Sequence, residues 1–162
     1  MTKSNIEKYD ESVKIVVCDK SFTDNINTSF DAYLDKLKFC QTGLLSNLST
    51  TRASIHITND ADMYSLLIKL ANDCLDILTR CKKITKDMII TNNRTLFEKK
   101  NQDYGNSFED FAIIGIIVRL NDKINRIANL SKSNSKKVII DESVEDTIND
   151  LYNYCIIGLM FG

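Results

Sequence analysis

Apolar residues recur at helical spacing along most of the chain. Phe30, Leu34 and Leu37, for example, lie three or four positions apart,. The same spacing predicts helices over about residues 28–47, 60–81, 91–103, 107–130 and 141–162. Lys14–Cys18 is compatible with either a short strand or the start of a helix. Because short polar segments join the predicted helices, the pattern indicates an all-α fold, a single-domain bundle of about five helices.

The segment Phe111–Val118 is apolar on every side of its predicted helix, so we expect it at the centre of the fold,. Gly115 lies inside this segment, where glycine costs about 1 kcal/mol relative to alanine. We interpret Gly115 as a place where a neighbouring helix approaches closely. Gly105 marks the corner before this helix, since glycine readily adopts the left-handed conformation that ends helices.

Composition narrows the classes of protein that remain. The chain has 162 residues, no proline and five glycines, which argues against an all-β fold and a glycine-rich phosphate loop,. The net charge of −1 is evenly spread, so we expect no long nucleic acid as a partner,. No apolar run approaches the ~18 residues of a membrane span. The first residues lack the apolar region of a signal peptide, and we therefore expect a cytoplasmic protein without a membrane partner.

The thiols and the single histidine offer little chemistry. The five cysteines form no CxxC pair and no zinc spacing, which predicts reduced and mostly buried thiols,. His56 is the only histidine, which argues against His-rich metal phosphohydrolase mechanisms and leaves one candidate for a His-based triad. We expect His56 on a partly buried strand or turn rather than in a catalytic site.

The last predicted helix carries a candidate metal site. Its apolar stripe consists of Val144, Ile148, Leu151, Cys155 and Leu159, and its opposite face carries Glu142, Asp146, Asn149, Asp150 and Asn153. Glu142, Asp146 and Asp150 occupy positions i, i+4 and i+8, so the carboxylates of successive acids lie about 6 Å apart,. Mg²⁺ is the usual partner that relieves such repulsion. A solvated outer face is the alternative. Ile157 and Met160 continue the acidic face, which favours acids at the mouth of a cavity.

The preceding helix supplies a candidate phosphate site. Arg119, Asp122, Lys123 and Arg126 fall on one stripe, and Asp122 is spaced to hold both guanidinium groups in fixed positions,. Two oriented arginine forks and a lysine suit a phosphate group. The alternative is a surface ion-pair ladder, which would add little to stability.

A third group of polar residues surrounds the Gly105 corner. In Lys100–Phe108, Tyr104 is a candidate for stacking on a base, and Asp103 is a candidate ligand of a metal or a ribose. The alternative is an ordinary corner between two helices.

These three motifs, KxxDYGxSF, GxxVRxxDKxxRxxNL and DESxxDTxxDLxNY, occur in an order that resembles the nucleotide modification associated domain 1 family. Members of this family are small proteins frequent in phages. The resemblance covers about Glu98–Met160. It implies a role in phage or bacterial nucleotide and base modification, in the host cytoplasm if the protein is viral. It also implies that residues 91–162 are the helical core and residues 1–90 an N-terminal helical part of unknown role.

The pattern of acids and cations is also similar to the all-α nucleoside triphosphate pyrophosphohydrolases of the MazG-like and dimeric dUTPase-like type. Those enzymes hold Mg²⁺ with an ExxE and an ExxD motif. Here Glu142-x-x-Glu145 is present and the second pair is missing, with Asp103 or Asp122 as possible substitutes. The similarity implies Mg²⁺-dependent hydrolysis of a nucleoside triphosphate to a monophosphate and pyrophosphate, and a homodimer.

Three functions therefore remain open: a Mg²⁺-dependent nucleotide hydrolase, a noncatalytic nucleotide-binding accessory subunit, and a helical interaction module. In the first, the catalytic residues are Glu142, Asp146 and Asp150, with Asp122 as a further metal ligand. The candidate ligand-binding residues are Asp103, Tyr104, Arg119, Lys123, Arg126 and Asn153.

Overall fold

The computed structural model describes residues 4–18, 30–51, 61–82, 84–104, 112–132 and 142–160. Within these ranges the chain forms six α-helices and no strand. They are α1 (Asn5–Cys18), α2 (Phe30–Thr51), α3 (Ala61–Lys82), α4 (Lys86–Tyr104), α5 (Ala112–Lys132) and α6 (Glu142–Met160). The predicted all-α fold is confirmed, with one helix more than expected. None of these helices is both long and apolar enough to cross a membrane.

The additional helix is α1, whose last residues are the segment left open between strand and helix. Ser4 and Glu7 begin it with a reciprocal cap, in which each backbone N–H donates to the other residue's side-chain oxygen at 3.2 Å,. Tyr9, Ser12 and Val16 then form its buried face at helical spacing. Helix α4 also begins earlier than predicted, because the Thr85 hydroxyl accepts a hydrogen bond from the Met88 N–H at 3.2 Å,.

Helices α3 and α6 form the centre of the bundle. Helix α3 packs against α1, α2, α4 and α6, and α6 packs against α1, α3, α4 and α5. All nine residues from Leu70 to Leu78 are buried. The expectation that Phe111–Val118 is central is wrong for its C-terminal end, because Val118 is 50% exposed. Helix α5 lies at the side of the bundle, where only part of its circumference meets α2 and α6.

Close helix packing occurs at Gly158 of α6. A Cβ atom there would lie 3.1 Å from Leu67 Cδ1 and 3.3 Å from Ile116 Cγ2. The absence of a side chain therefore lets α3 and α5 approach α6. The predicted role of Gly115 stays a prediction.

Three polar residues are buried in α3. The Asn72 amide donates to the carbonyl oxygens of Val16 and Ile68, both at 3.1 Å. Asp76 accepts a hydrogen bond from the Tyr33 hydroxyl and pairs with Arg80 at 3.2 Å. Asp73 Oδ2 pairs with Lys69 at 3.0 Å, whereas its Oδ1 atom has no partner among the described residues.

The prediction of buried, unpaired thiols is confirmed for Cys40, Cys74 and Cys155, while Cys18 is exposed. Burial raises the pKa of Cys40 to about 12, so this thiol keeps its proton,. Cys81 and His56 lie outside the described side chains.

We expect Asp73→Asn to increase the free energy of unfolding at pH 7 by about 1 kcal/mol, because it removes a buried charge that has one unpaired oxygen. Burial raises the pKa of Asp73, so the wild-type penalty exists above the folded pKa and disappears as the pH falls to the unfolded value near 4,. The gain should therefore shrink at acidic pH. Urea denaturation at pH 7 and pH 4 measures both values. The exposed Asp35→Asn is the matched control, and a less stable Asp73→Asn at pH 7 would contradict the expectation.

Candidate functional site

A cleft of about 490 Å³ lies between α4 and α6, and we call it the α4–α6 cleft. Its apolar wall consists of Ile84, Ile89 and Leu96. Its polar lining consists of Asn92 and Asn93 from α4 and of Asp146, Asn149 and Asp150 from α6. This volume is in the range of small-molecule sites, which combine apolar walls with a few fixed polar groups.

The acidic face of α6 contributes two of its predicted site residues to this cleft, Asp146 and Asp150. The predicted apolar stripe on the other side of α6 is fully buried, and so is Ile157, which continues the acidic face. Both faces of α6 are buried near its C-terminus, so the acidic face is accessible to solvent mainly in the first half of the helix. The acids therefore lie where the helix emerges from the core.

Asp150 is held by lysines from two helices. Lys123 Nζ of α5 lies 3.1 Å from Asp150 Oδ2, and Lys100 Nζ of α4 lies 4.0 Å from Oδ1. The side chains of Asp150 and Lys123 are only 32% and 27% exposed, so water screens this pair less than an ordinary surface pair,. Protein cations thus relieve the repulsion between Asp146 and Asp150. Asp146 itself is exposed and has no hydrogen bond or ion pair to the described residues.

The predicted phosphate stripe on α5 is only partly assembled. Arg126 Nε donates to the Thr147 hydroxyl at 3.3 Å, which ties this arginine to α6. Arg119 and Asp122 are exposed and make no ion pair within the described part of the chain. The predicted clamp of both arginines by Asp122 is therefore not formed, since hydrated surface pairs gain little from a fixed geometry.

The described residues contain no cluster of three or more His, Cys, Asp or Glu side chains placed to hold a metal ion. The side chains of Asp103, Tyr104 and Glu142 lie outside the described part, although α4 and α6 include these positions. Asp146 has a free carboxylate, whereas Asp150 is already paired with lysines. The Mg²⁺ site and its ligands stay a prediction.

A series of side-chain hydrogen bonds connects the interior of the bundle to the lining of the cleft. The Tyr9 hydroxyl donates to Asn153 Oδ1 at 2.5 Å. Asn153 Nδ2 donates to Asn93 Oδ1 at 3.3 Å, and Asn93 Nδ2 donates to Asn149 Oδ1 at 2.9 Å. We call these four residues the amide chain. It connects α1, α6 and α4, and it ends at Asn149 in the cleft.

The amide chain gives Asn153 a different place from the one predicted. Asn153 is buried and bonded to Tyr9 and Asn93, and it does not line the cleft. Asn93 and Tyr9 were missed by sequence reasoning. A sequence signal for Asn93 does exist. Asparagine is a poor helix former, yet Asn93 lies four positions after Ile89 and four before Phe97, both of which are buried,.

Two further contacts fix Tyr9 and α1. The Tyr9 ring stacks on Phe97 with centroids 4.3 Å apart. Arg94 of α4 grips both carboxylate oxygens of Asp10, at 2.8 and 3.1 Å,. Burial raises the pKa of Tyr9 far above its usual value,. The hydroxyl therefore keeps its proton and acts as a donor.

These features define an all-α protein with a ligand-sized polar cleft between two helices. Residues 100–161 match the family model described as Nucleotide modification associated domain 1. The resemblance read from the three motifs is thereby confirmed for this stretch, and the match associates it with nucleotide modification. The similarity to MazG-like enzymes is not shown. No curated protein and no solved structure matches the chain.

We expect Tyr9→Phe to decrease the free energy of unfolding by about 1–2 kcal/mol, because Asn153 Oδ1 loses its hydroxyl donor in a buried place,. The ring and its stacking on Phe97 are kept in this variant. Tyr64→Phe on α3, which removes a hydroxyl without a partner among the described residues, is the control. Urea denaturation of both variants gives the comparison. Equal stability of the two variants would show that the hydroxyl contributes nothing.

Proposed function

We propose that this chain is a nucleotide-binding protein of a phage or bacterial nucleotide-modification pathway, and that its ligand occupies the α4–α6 cleft. One observation carries the proposal. The cleft combines an apolar wall, unpaired polar groups and nearby lysines, and its α6 side lies inside the stretch that matches the nucleotide-modification family.

The apolar wall suits the face of a base. Ile84 and Leu96 supply partly exposed aliphatic side chains to the lining, and α6 supplies polar groups. The exposed Asn92 amide has no partner among the described residues, so it is available to a ligand. A cleft of about 490 Å³ accommodates a base and its sugar,.

The cations suit the phosphates. Lys100 and Lys123 hold Asp150 from two sides, and a phosphate at this edge competes with Asp150 for both,. Arg126 and the exposed Arg119 extend the positive stripe along α5. Asp103 and Tyr104, at the end of α4, remain proposed contacts to the ribose and the base.

Mg²⁺-dependent hydrolysis is the second candidate, favoured by the presence of Asp146 and Asp150 in one cleft. Glu142 lies one turn earlier on α6, and Asp122 on α5 is the further proposed ligand. Mg²⁺ held by these acids would supply a metal-activated water and neutralise phosphate charge. Asp150 must leave its lysines to serve this role. A homodimer, by analogy with helical pyrophosphohydrolases, belongs to this second proposal.

Saturating nucleotide should raise the melting temperature of the wild type by about 5–10 °C, since ligand at 100 times Kd adds about 2.7 kcal/mol. Asn92→Trp fills the cleft from an exposed position and should abolish the shift. Thr95→Trp, on the exposed face of the same helix outside the cleft lining, should keep it. A wild type whose melting does not respond to any nucleoside mono-, di- or triphosphate would reject the proposal.

The hydrolase candidate makes a separate prediction. With Mg²⁺ and a nucleoside triphosphate, pyrophosphate release should occur and should fall at least 100-fold in Asp146→Asn, because the free carboxylate is lost. Asp35→Asn should leave the rate unchanged. If nucleotide stabilises the protein but no pyrophosphate is released, the proposed binding function stands and the proposed hydrolase activity is rejected.

A further inference from the structure

The orientation of each amide in the amide chain is fixed by a backbone carbonyl. Asn93 Nδ2 donates to Ile89 O at 3.0 Å, Asn149 Nδ2 to Glu145 O at 3.1 Å, and Asn153 Nδ2 to Asn93 O at 3.4 Å. A carbonyl oxygen only accepts hydrogen bonds, so each NH₂ group must face its carbonyl and each Oδ1 must face the other way. The Tyr9 hydroxyl completes the series as a donor to Asn153 Oδ1.

The fixed orientation of these amides determines which hydrogen-bonding group of Asn149 is left for a ligand in the cleft. Its Oδ1 already accepts from Asn93, and one of its two amide hydrogens goes to Glu145 O. The second amide hydrogen has no partner within the described residues. The cleft therefore contains one donor whose position is set by buried groups.

Asp146 supplies the complementary acceptors. It lies three residues before Asn149, so the two side chains are neighbours on the cleft side of α6,. Both of its carboxylate oxygens lack a partner among the described residues. Together the two side chains present one donor followed by two acceptors.

We infer that the α4–α6 cleft selects guanine among the bases, an inference that rests on the proposed nucleotide-binding function. Guanine O6 accepts from the Asn149 amide, and its N1–H and N2–H donate to the Asp146 carboxylate. The purine face is expected to lie against the partly exposed Ile84 and Leu96 of the apolar wall. Adenine, cytosine and uracil each leave one of these three groups unpaired or place an acceptor against the carboxylate. Buried or oriented polar groups reject ligands that leave them unpaired.

Calorimetric titration of the full chain with GMP, IMP, AMP, CMP and UMP tests the inference. GMP should bind tightest. IMP lacks only the 2-amino group and should bind about tenfold more weakly, as expected for one lost hydrogen bond to a charged group. In Asp146→Asn this difference between GMP and IMP should shrink to less than about threefold.

Asn149→Asp replaces the oriented donor with a carboxylate that repels O6, so GMP and IMP should both weaken by at least about tenfold. The matched controls are Asp35→Asn on α2 and Asn129→Asp on α5, both exposed. These two controls should bind GMP as the wild type does. Thermal melting establishes that each variant is folded. If Asn149→Asp does not fold, the wild-type GMP-to-IMP ratio and the exposed Asp146→Asn still decide.

The outcomes separate the two proposals. Equal affinity for all five nucleotides would overturn the guanine assignment and leave nucleotide binding intact. Tighter binding of AMP, CMP or UMP than of GMP would do the same. Absence of binding by all five monophosphates would overturn the guanine assignment, and absence of any melting response to di- and triphosphates as well would overturn nucleotide binding.

Discussion

Burial of unpaired polar groups is costly, and this constraint organises the interior of the bundle. The amide chain links four polar side chains that are drawn from α1, α4 and α6. These bonds join side chains of three helices, so they restrict how α1, α4 and α6 pack against one another. Asp10 and Arg94 add a surface pair between α1 and α4. The N-terminal helix thus contributes directly to the support of the cleft in the C-terminal part.

Charge in this protein is handled in two different ways. In α3, Asp73 and Asp76 are buried and keep local cations one turn away, Lys69 and Arg80. In the cleft, the cations that hold Asp150 come from other helices. The arrangement leaves Asp146 as the free anion beside an oriented amide.

The candidate site was visible in the sequence only on its α6 side. The spacing of Asp146 and Asp150 opposite an apolar stripe indicated acids at the edge of the core, and both line the cleft. The α4 side was not predicted, because Asn92 and Asn93 belong to a polar segment without a motif. The family match, which begins at residue 100, also leaves these two residues out. The expected clamp around Asp122 failed because helical spacing permits a contact without making it stable.

The sequence by itself determined five of the six described helices and the buried face of α6, since both depend on interactions between residues a few positions apart,. It did not reveal that α3 and α6 are central while α5 lies at the side, because the segment Phe111–Val118 of α5 is also strongly apolar and only packing ranks these helices. The partners of the site residues were also decided by tertiary structure. Lys123 and Asp150 are 27 positions apart, and Tyr9 and Asn153 are 144 apart. No local pattern encodes such pairs, because they form only when helices distant in sequence pack side by side.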